Sequence, residues 1–199
     1  CIARHHAHLV TFIVCQLAIT GPGRVAGGGE GPGPAARGPA AEGGGVSEAL
    51  ILFAGAADGW GVGLRRLGIE PVALAESDPL RRAALRRHHP KAVIYDDVRH
   101  VTRERLLADL GRLPRVVVGS PPCQDISCAN NGRARGVDGE RSGLYFEFVR
   151  VVGEVGPDWF AAENAAQLKT RGFDRVKTAL DEVGYACWPC VVGAREAGY

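Results

Sequence analysis

The chain has no apolar run of the roughly 20 residues that a membrane-spanning helix requires. Its apolar stretch near the amino end, residues 9–19 (LVTFIVCQLAI), falls well short of that. The same stretch could stand as the hydrophobic part of a signal peptide, but it lacks a clear small-x-small cleavage site, and that reading is rejected. Charge is nearly balanced at +2, which neither demands nor excludes a nucleic-acid partner, because footprints are set by local clusters. Six cysteines without regular spacing argue against a disulfide scaffold and for reduced intracellular thiols. The expected location is therefore cytoplasmic, with no membrane partner. No internal repeat is evident. The Gly/Pro/Ala tract from Gly21 to Gly45 cannot form a core. Residues 1–47 are accordingly expected to be a disordered Gly/Pro-rich appendage without a function, His5, His6 and His8 included, and no metal site is expected. The chain starts at Cys1 and stops at Tyr199 with no helix or cap to finish it, which reads as a fragment.

From Glu48 onward, short apolar runs alternate with amphipathic stretches, the βαβα texture of an α/β doubly wound sheet. Strands are predicted at 49–54, 71–75, 92–95, 114–119, 158–162 and about 184–192. Helices are predicted at 60–68, 78–89, 102–111, 142–155 and 172–183, with Asp78 as N-cap before Pro79, and Thr102 capping the third. The polar stretch from Cys128 to Ser142 interrupts this rhythm, and so long a loop in a compact fold usually covers or binds something.

The nonapeptide GSPPCQDIS at 119–127 follows the β-branched run Pro114-Arg-Val-Val-Val-Gly119. Cys123 thus sits beyond the carboxyl end of a buried parallel strand, the edge at which open α/β sheets bind ligands. Two prolines before it pre-set φ and remove two backbone donors, which stiffens the peptide. Taken alone, the segment leaves two readings open: an aimed nucleophile, or a small buried hydrophobe. The first predicted strand ends in a Gly-rich turn, Phe53-Ala-Gly55-Ala-Ala-Asp-Gly59-Trp-Gly61-Val-Gly63. Glycines there let backbone approach a ligand, but the spacing is not that of a dinucleotide fingerprint, and no Lys-Ser/Thr pair follows for a phosphate. The second strand ends in Glu76, where a carboxylate can accept ribose hydroxyls. The third is followed by Asp96-Asp97-Val98, able to meet an adenine amino group and pack on its ring. Each of these carboxylates alone could be a solvated strand end or a cap. Together Phe53, Glu76 and Asp97 outline an adenosine pocket with no phosphate cradle, which favours S-adenosylmethionine over NAD or ATP.

In order, FAGAADGWGVGL, Glu76, Asp97-Val98, GSPPCQDIS, Arg141-Ser-Gly-Leu144 and Glu163-Asn164 resemble the cytosine-C5 DNA methyltransferase family over about residues 50–199. The resemblance implies a Rossmann-like doubly wound sheet of the S-adenosylmethionine-dependent methyltransferase type. It places Phe53, Gly55, Glu76, Asp97, Val98, Pro122 and Leu144 at cofactor-contacting positions, and Cys123, Glu163 and Asn164 in the catalytic core. By this implication Cys123 adds to C6 of a flipped-out cytosine, Glu163 protonates or hydrogen-bonds N3, and Asn164 fixes the turn that aims Glu163. Arg133, Arg135 and Arg141 would close on the phosphates of double-stranded DNA. A monomer, with a cognate restriction endonuclease in the same system, completes the expectation. Three features depart from the family pattern. Ala57-Asp58-Gly59 replaces Gly-Gly and is one residue longer, which could bring a carboxylate toward the methionine moiety. Ser77 stands where relatives often carry a large apolar residue. Beyond Gly193-Ala-Arg195 the family's Gln-x-Arg-x-Arg, target-recognition and Gly-Asn segments do not follow, so residues 48–199 are expected to be a partial catalytic domain, incomplete at its C-terminus. Rival readings are an amino-methyltransferase, for which Cys123 replaces the expected aromatic; a tRNA cytosine-C5 methyltransferase; a metal or redox protein built on Cys187 and Cys190; and a truncated remnant that binds cofactor or DNA weakly. Packing in the sixth strand is the favoured reading of the cysteine pair, and a solvated face that of Arg81, Arg82, Arg86 and Arg87.

Overall fold

The computed structural model describes residues 9–17, 47–122, 143–165, 168 and 173–193. Among these, seven strands form one sheet: β1 Leu9–Leu17, β2 Ser47–Leu52, β3 Ile69–Ala75, β4 Val93–Tyr95, β5 Val116–Gly119, β6 Trp159–Ala165 and β7 Tyr185–Gly193. Their order is β4-β3-β2-β5-β6-β1-β7. Neighbours from β4 to β6 run parallel, and the chain reverses its direction of travel across the sheet between β2 and β5. A crevice opens at such a switch point, outside the carboxyl ends of the strands.

Among the described residues five helices connect the strands: α1 Gly59–Arg66, α2 Pro79–His88, α3 Arg103–Leu110, α4 Leu144–Val155 and α5 Phe173–Glu182. Their boundaries lie close to the sequence expectation, and the capping chemistry explains why. Asp78 accepts the amide hydrogens of Leu80 and Arg81, with Pro79 opening α2. The hydroxyl of Thr102 accepts the amide of Arg105 at 3.2 Å, and α3 ends at Gly111 with φ of 71°.

Residues 9–17 correct the assignment of the whole of 1–47 to an appendage. They form β1, which lies antiparallel to both β6 and β7. Their composition (LVTFIVCQL) is rich in β-branched and aromatic residues that fit a pleated surface. What local reading misses is the partner, since Val10 pairs with Ala165 and Leu9 with Gly193. Residues 1–8 and 18–46 lie outside the described residues.

A second correction follows from the first. β6 was expected to stop at residue 162 but continues to Ala165. Pairing with β5 ends at Gly119 opposite Ala162. Beyond that point β1 supplies the ladder, with Phe12 opposite Glu163 and Thr11 opposite Asn164.

Strand residues alternate between two cores. Leu50, Leu52, Val117 and Phe160 join Tyr145, Phe148 and Val152 of α4 and Val176 and Leu180 of α5 on one face. Ala49, Ile51, Leu74 and Val118 meet Leu64 of α1 and Leu85 of α2 on the other. Phe148 is centred on the first face, with ring centroids 6.0 Å from Tyr145 and 5.8 Å from Phe160. Gly119 lets β5 lie against the end of β2, because a Cβ there would sit 2.5 Å from the Leu52 carbonyl oxygen.

Candidate active site

The carboxyl ends of five parallel strands and the start of α4 surround a cleft of about 490 Å³. Phe53 comes from the end of β2, Ala75 to Ser77 from β3, Asp97 to Arg99 from beyond β4, Ser120 to Pro122 from β5, Glu163 and Asn164 from β6, and Leu144 from α4. Of the cofactor positions named from sequence, all but Gly55 line this cleft, and Gly55 acts through its backbone. Its amide donates to Glu76 Oε2 at 2.8 Å, while the Asp78 amide donates to Oε1 at 2.9 Å. The Glu76 carboxylate is therefore aimed from both sides, and each oxygen keeps acceptor capacity toward the cleft. Arg81 approaches the same carboxylate at 4.0 Å.

The turn after β2 is conformationally costly. Phe53 has φ of 55° and Asp58 φ of 50°, left-handed values that non-glycine residues rarely adopt outside functional turns. Asp58 is 2 % exposed and does not enter the cleft. Its Oδ2 accepts from Arg65 Nη2 at 2.8 Å and lies 2.8 Å from His89 Nε2. The longer turn thus places its extra carboxylate under α1, clamping that helix to the C-cap of α2 and outside the lining of the cleft. Gly61 makes room for it, since a Cβ there would lie 2.1 Å from Asp58 Oδ1.

Asp97 lines the cleft and also caps the 3₁₀ turn Val98–His100, accepting the Arg99 amide at 2.8 Å. Its neighbour Asp96 does not line the cleft. It pairs with His100 Nδ1 at 3.0 Å, and that hydrogen bond is the main influence holding its carboxyl below the usual range.

On the opposite wall, Asn164 is 2 % exposed, and its side-chain amide donates to the Pro121 carbonyl at 3.1 Å. Asn164 therefore grips the Pro-Pro peptide, a contact additional to the expected role of fixing Glu163. Ser120 receives the indole N–H of Trp60 at 2.9 Å. The peptide leading to residue 123 is held from both sides. Cys123, Arg133, Arg135 and Arg141 lie outside the described residues.

The chemistry available is three carboxylates, Glu76, Asp97 and Glu163, in a cleft whose remaining lining mixes apolar side chains with Ser77, Arg81, Arg99, Ser120 and Asn164. Among the described residues no cluster of His, Cys, Asp and Glu could hold a metal. Cys187 packs partly buried against the aromatic core, whereas Cys190 is exposed. The two are three apart on β7 and so face opposite sides, which corrects the expectation that both pack inside.

A family model for C-5 cytosine-specific DNA methylase matches residues 49–199. The chain belongs to this family. Type II methyltransferase M.FnuDI of Fusobacterium nucleatum is 31% identical over 153 residues, covering 75% of this chain and 42% of the relative. M.NgoPII of Neisseria gonorrhoeae is 31% identical over 154 residues, covering 75% and 43%. M.AquIA of a Picosynechococcus strain is 36% identical over 165 residues, covering 75% and 65%. The chain spans less than half the length of the first two of these. Among solved structures, a prophage-encoded E. coli protein described as a DNA modification methyltransferase superposes with a TM-score of 0.54 at 23% identity, covering 69% of this chain and 37% of that one. A Spodoptera frugiperda DNMT2 variant gives 0.53 at 16%, covering 69% and 41%. These two likenesses concern the fold, the Rossmann-like sheet expected from the sequence.

Sequence reading missed several residues around the family motifs. Arg81, assigned to a solvated face, lines the cleft, as does Arg99. Arg82 donates to the carbonyls of Glu76 and Ser77, holding the turn after β3. The only signal for these was position, since each follows a strand end by a few residues. No helix among the described residues is long and apolar enough to cross a membrane.

Proposed function

We propose that this chain carries the catalytic part of a DNA (cytosine-5-)-methyltransferase that uses S-adenosylmethionine. The observation that carries the proposal is the convergence of Glu76, Asp97, the Ser120-Pro121-Pro122 peptide and Glu163-Asn164 on one cleft at the switch point of the sheet. The residues suit the cofactor: Glu76 retains acceptor capacity for ribose hydroxyls, Phe53 and Val98 offer apolar surface for adenine, and no phosphate cradle is needed. When bound, S-adenosylmethionine supplies an electrophilic methyl group on its sulfonium.

Cytosine C5 is a weak nucleophile, so the chain must raise electron density there. The Cys123 thiolate forms a bond to C6, and the displaced ring electrons are drawn toward N3. Glu163 donates a proton or hydrogen bond to N3, neutralising the charge pushed into the ring. After methylation a solvent water takes the C5 proton, the C5–H electron pair forms the C5=C6 bond, and Cys123 leaves C6 as thiolate. Asn164, through the Pro121 carbonyl, holds the peptide that delivers the thiol. A base inside a duplex is out of reach, so the substrate cytosine is flipped out. Arg133, Arg135 and Arg141 are proposed to hold the surrounding phosphates of double-stranded DNA. The same reading makes the protein a cytoplasmic monomer paired with a cognate endonuclease.

The test is covalent trapping. With 5-fluorocytosine DNA and S-adenosylmethionine, the protein is expected to give a stable adduct that Cys123→Ser abolishes, and Glu163→Gln is expected to slow trapping by about 10²–10⁴-fold. An adduct that survives Cys123→Ser removes the thiol from the mechanism. Cofactor binding without any adduct supports a non-catalytic remnant instead.

A further inference from the structure

We propose that Trp60 is a positioning residue that ties the cofactor-side turn to the Ser120-Pro121-Pro122 peptide, so that the two walls of the cleft are set by one another. This goes beyond the proposed activity and rests on it only for what occupies the cleft.

The peptide after β5 has few polar handles. Pro121 and Pro122 have no N–H to donate. What remains is the Ser120 amide, which donates to the Leu52 carbonyl at 3.3 Å, the Ser120 hydroxyl, and the carbonyls of Ser120, Pro121 and Pro122. The hydroxyl accepts from Trp60 Nε1 at 2.9 Å, and the Pro121 carbonyl accepts from Asn164 Nδ2 at 3.1 Å. One side-chain bond thus comes from the helix that follows the Phe53–Asp58 turn, and the other from the strand that carries Glu163.

Trp60 is itself well anchored. It stands in the first turn of α1, directly after the Asp58 clamp, and its ring packs against the Ile51, Leu74 and Val118 cluster. A rigid indole fixed at its base transmits a displacement at its N–H. A continuous chain of contacts therefore crosses the cleft: Glu76 to the Gly55 amide, along the turn to Trp60, from Trp60 to Ser120, and from Pro121 to Asn164. In this chain the Trp60–Ser120 bond is a side-chain link, beside the backbone bond from Ser120 to Leu52, between residues 60 apart in sequence.

The test compares the wild-type protein with Trp60→Phe, which keeps an apolar ring but loses the donor, with Ser120→Ala, and with the double variant. Amide exchange at Ser120 is measured by NMR, with Val149 in α4 as control, in free protein and with S-adenosylhomocysteine. One neutral hydrogen bond corresponds to about threefold to tenfold in local opening. Each single variant is expected to exchange faster at residue 120 by that factor, relative to the intrinsic rate of the residue there, with Val149 unchanged. The double variant is expected to show no more than the larger single effect, because both remove the same bond. S-adenosylhomocysteine is expected to slow exchange at Ser120 in the wild type and not in the variants. Unchanged exchange in both single variants, or additive effects in the double, overturns the proposal. Protection by S-adenosylhomocysteine that persists in both single variants overturns it too. If Trp60→Phe unfolds, Ser120→Ala alone decides. If the wild type neither binds S-adenosylhomocysteine nor traps DNA, the methyltransferase reading fails, while exchange in the free protein still decides the link.

Discussion

The two faces of the sheet are closed by different means, an aromatic core under α4 and α5 that also backs the cleft, and a smaller aliphatic cluster with a buried polar clamp under α1 and α2. Under α4 and α5 the chain stacks Tyr145, Phe148, Phe160 and Tyr185 among aliphatic neighbours, with Phe160 and Tyr185 centroids 5.1 Å apart. Under α1 and α2 it offers small aliphatics, and each helix contributes one buried leucine, Leu64 and Leu85. There the buried Asp58, His89 and partly exposed Arg65 replace apolar contact. Hydrophobic burial is non-directional, whereas hydrogen bonds hold atoms at set distances and angles. The aromatic core therefore supplies bulk stability and backs the cleft through Phe53, Ala75, Val98 and Leu144, whereas the polar clamp fixes the Phe53–Asp58 turn at set distances.

The largest effect that would sharpen this contrast is on the aromatic face. Phe148→Ala removes a fully buried ring between two others and is expected to cost about 3–5 kcal/mol in denaturant unfolding. Next comes the polar face. Asp58→Ala strips a buried His and a partly exposed Arg of their common partner and is expected to cost about 1–3 kcal/mol. His89→Ala should cost a similar amount, and the double variant less than the sum, because both act on one contact. Additive losses at Asp58 and His89, measured by the same denaturant titration, would mean that no such clamp operates.

The sequence was most legible where local chemistry decides structure. Asp78-Pro79 announces the start of α2 through one capping oxygen and one missing N–H. Val116–Gly119 declares a buried strand by β-branching, and Glu76 and Asp97 were found because strand ends fall at turn signals. What stayed hidden depends on which strands become neighbours. The placement of β1 beside β6 sets Phe12 opposite Glu163, and nothing within residues 9–17 specifies that partner. The same holds for the Trp60–Ser120 bond, which exists only once β2 and β5 lie side by side. Asp58 was noticed as an insertion, yet its direction was set by His89, which is 31 residues away.

The smallest effect expected separates the faces by pH. Asp78 caps α2 on the polar face, and its own amide holds Glu76 Oε1. The Arg81 amide, the largest influence, holds the Asp78 carboxyl below its usual value, with the Leu80 amide adding to it. A carboxyl lowered on folding stabilises fully above the ordinary aspartate value, about 4, and that contribution fades as pH falls through the lowered value. Asp78→Asn keeps a capping oxygen but has no charge to lose. Its Tm should lie slightly below that of the wild type at neutral pH, with the gap closing in acid. The deficit of Phe148→Ala has no titrating cause and should not close in this way. A gap at Asp78→Asn that stays constant from neutral to acid pH would place its contribution in packing and not in charge, and would remove this element of the polar face.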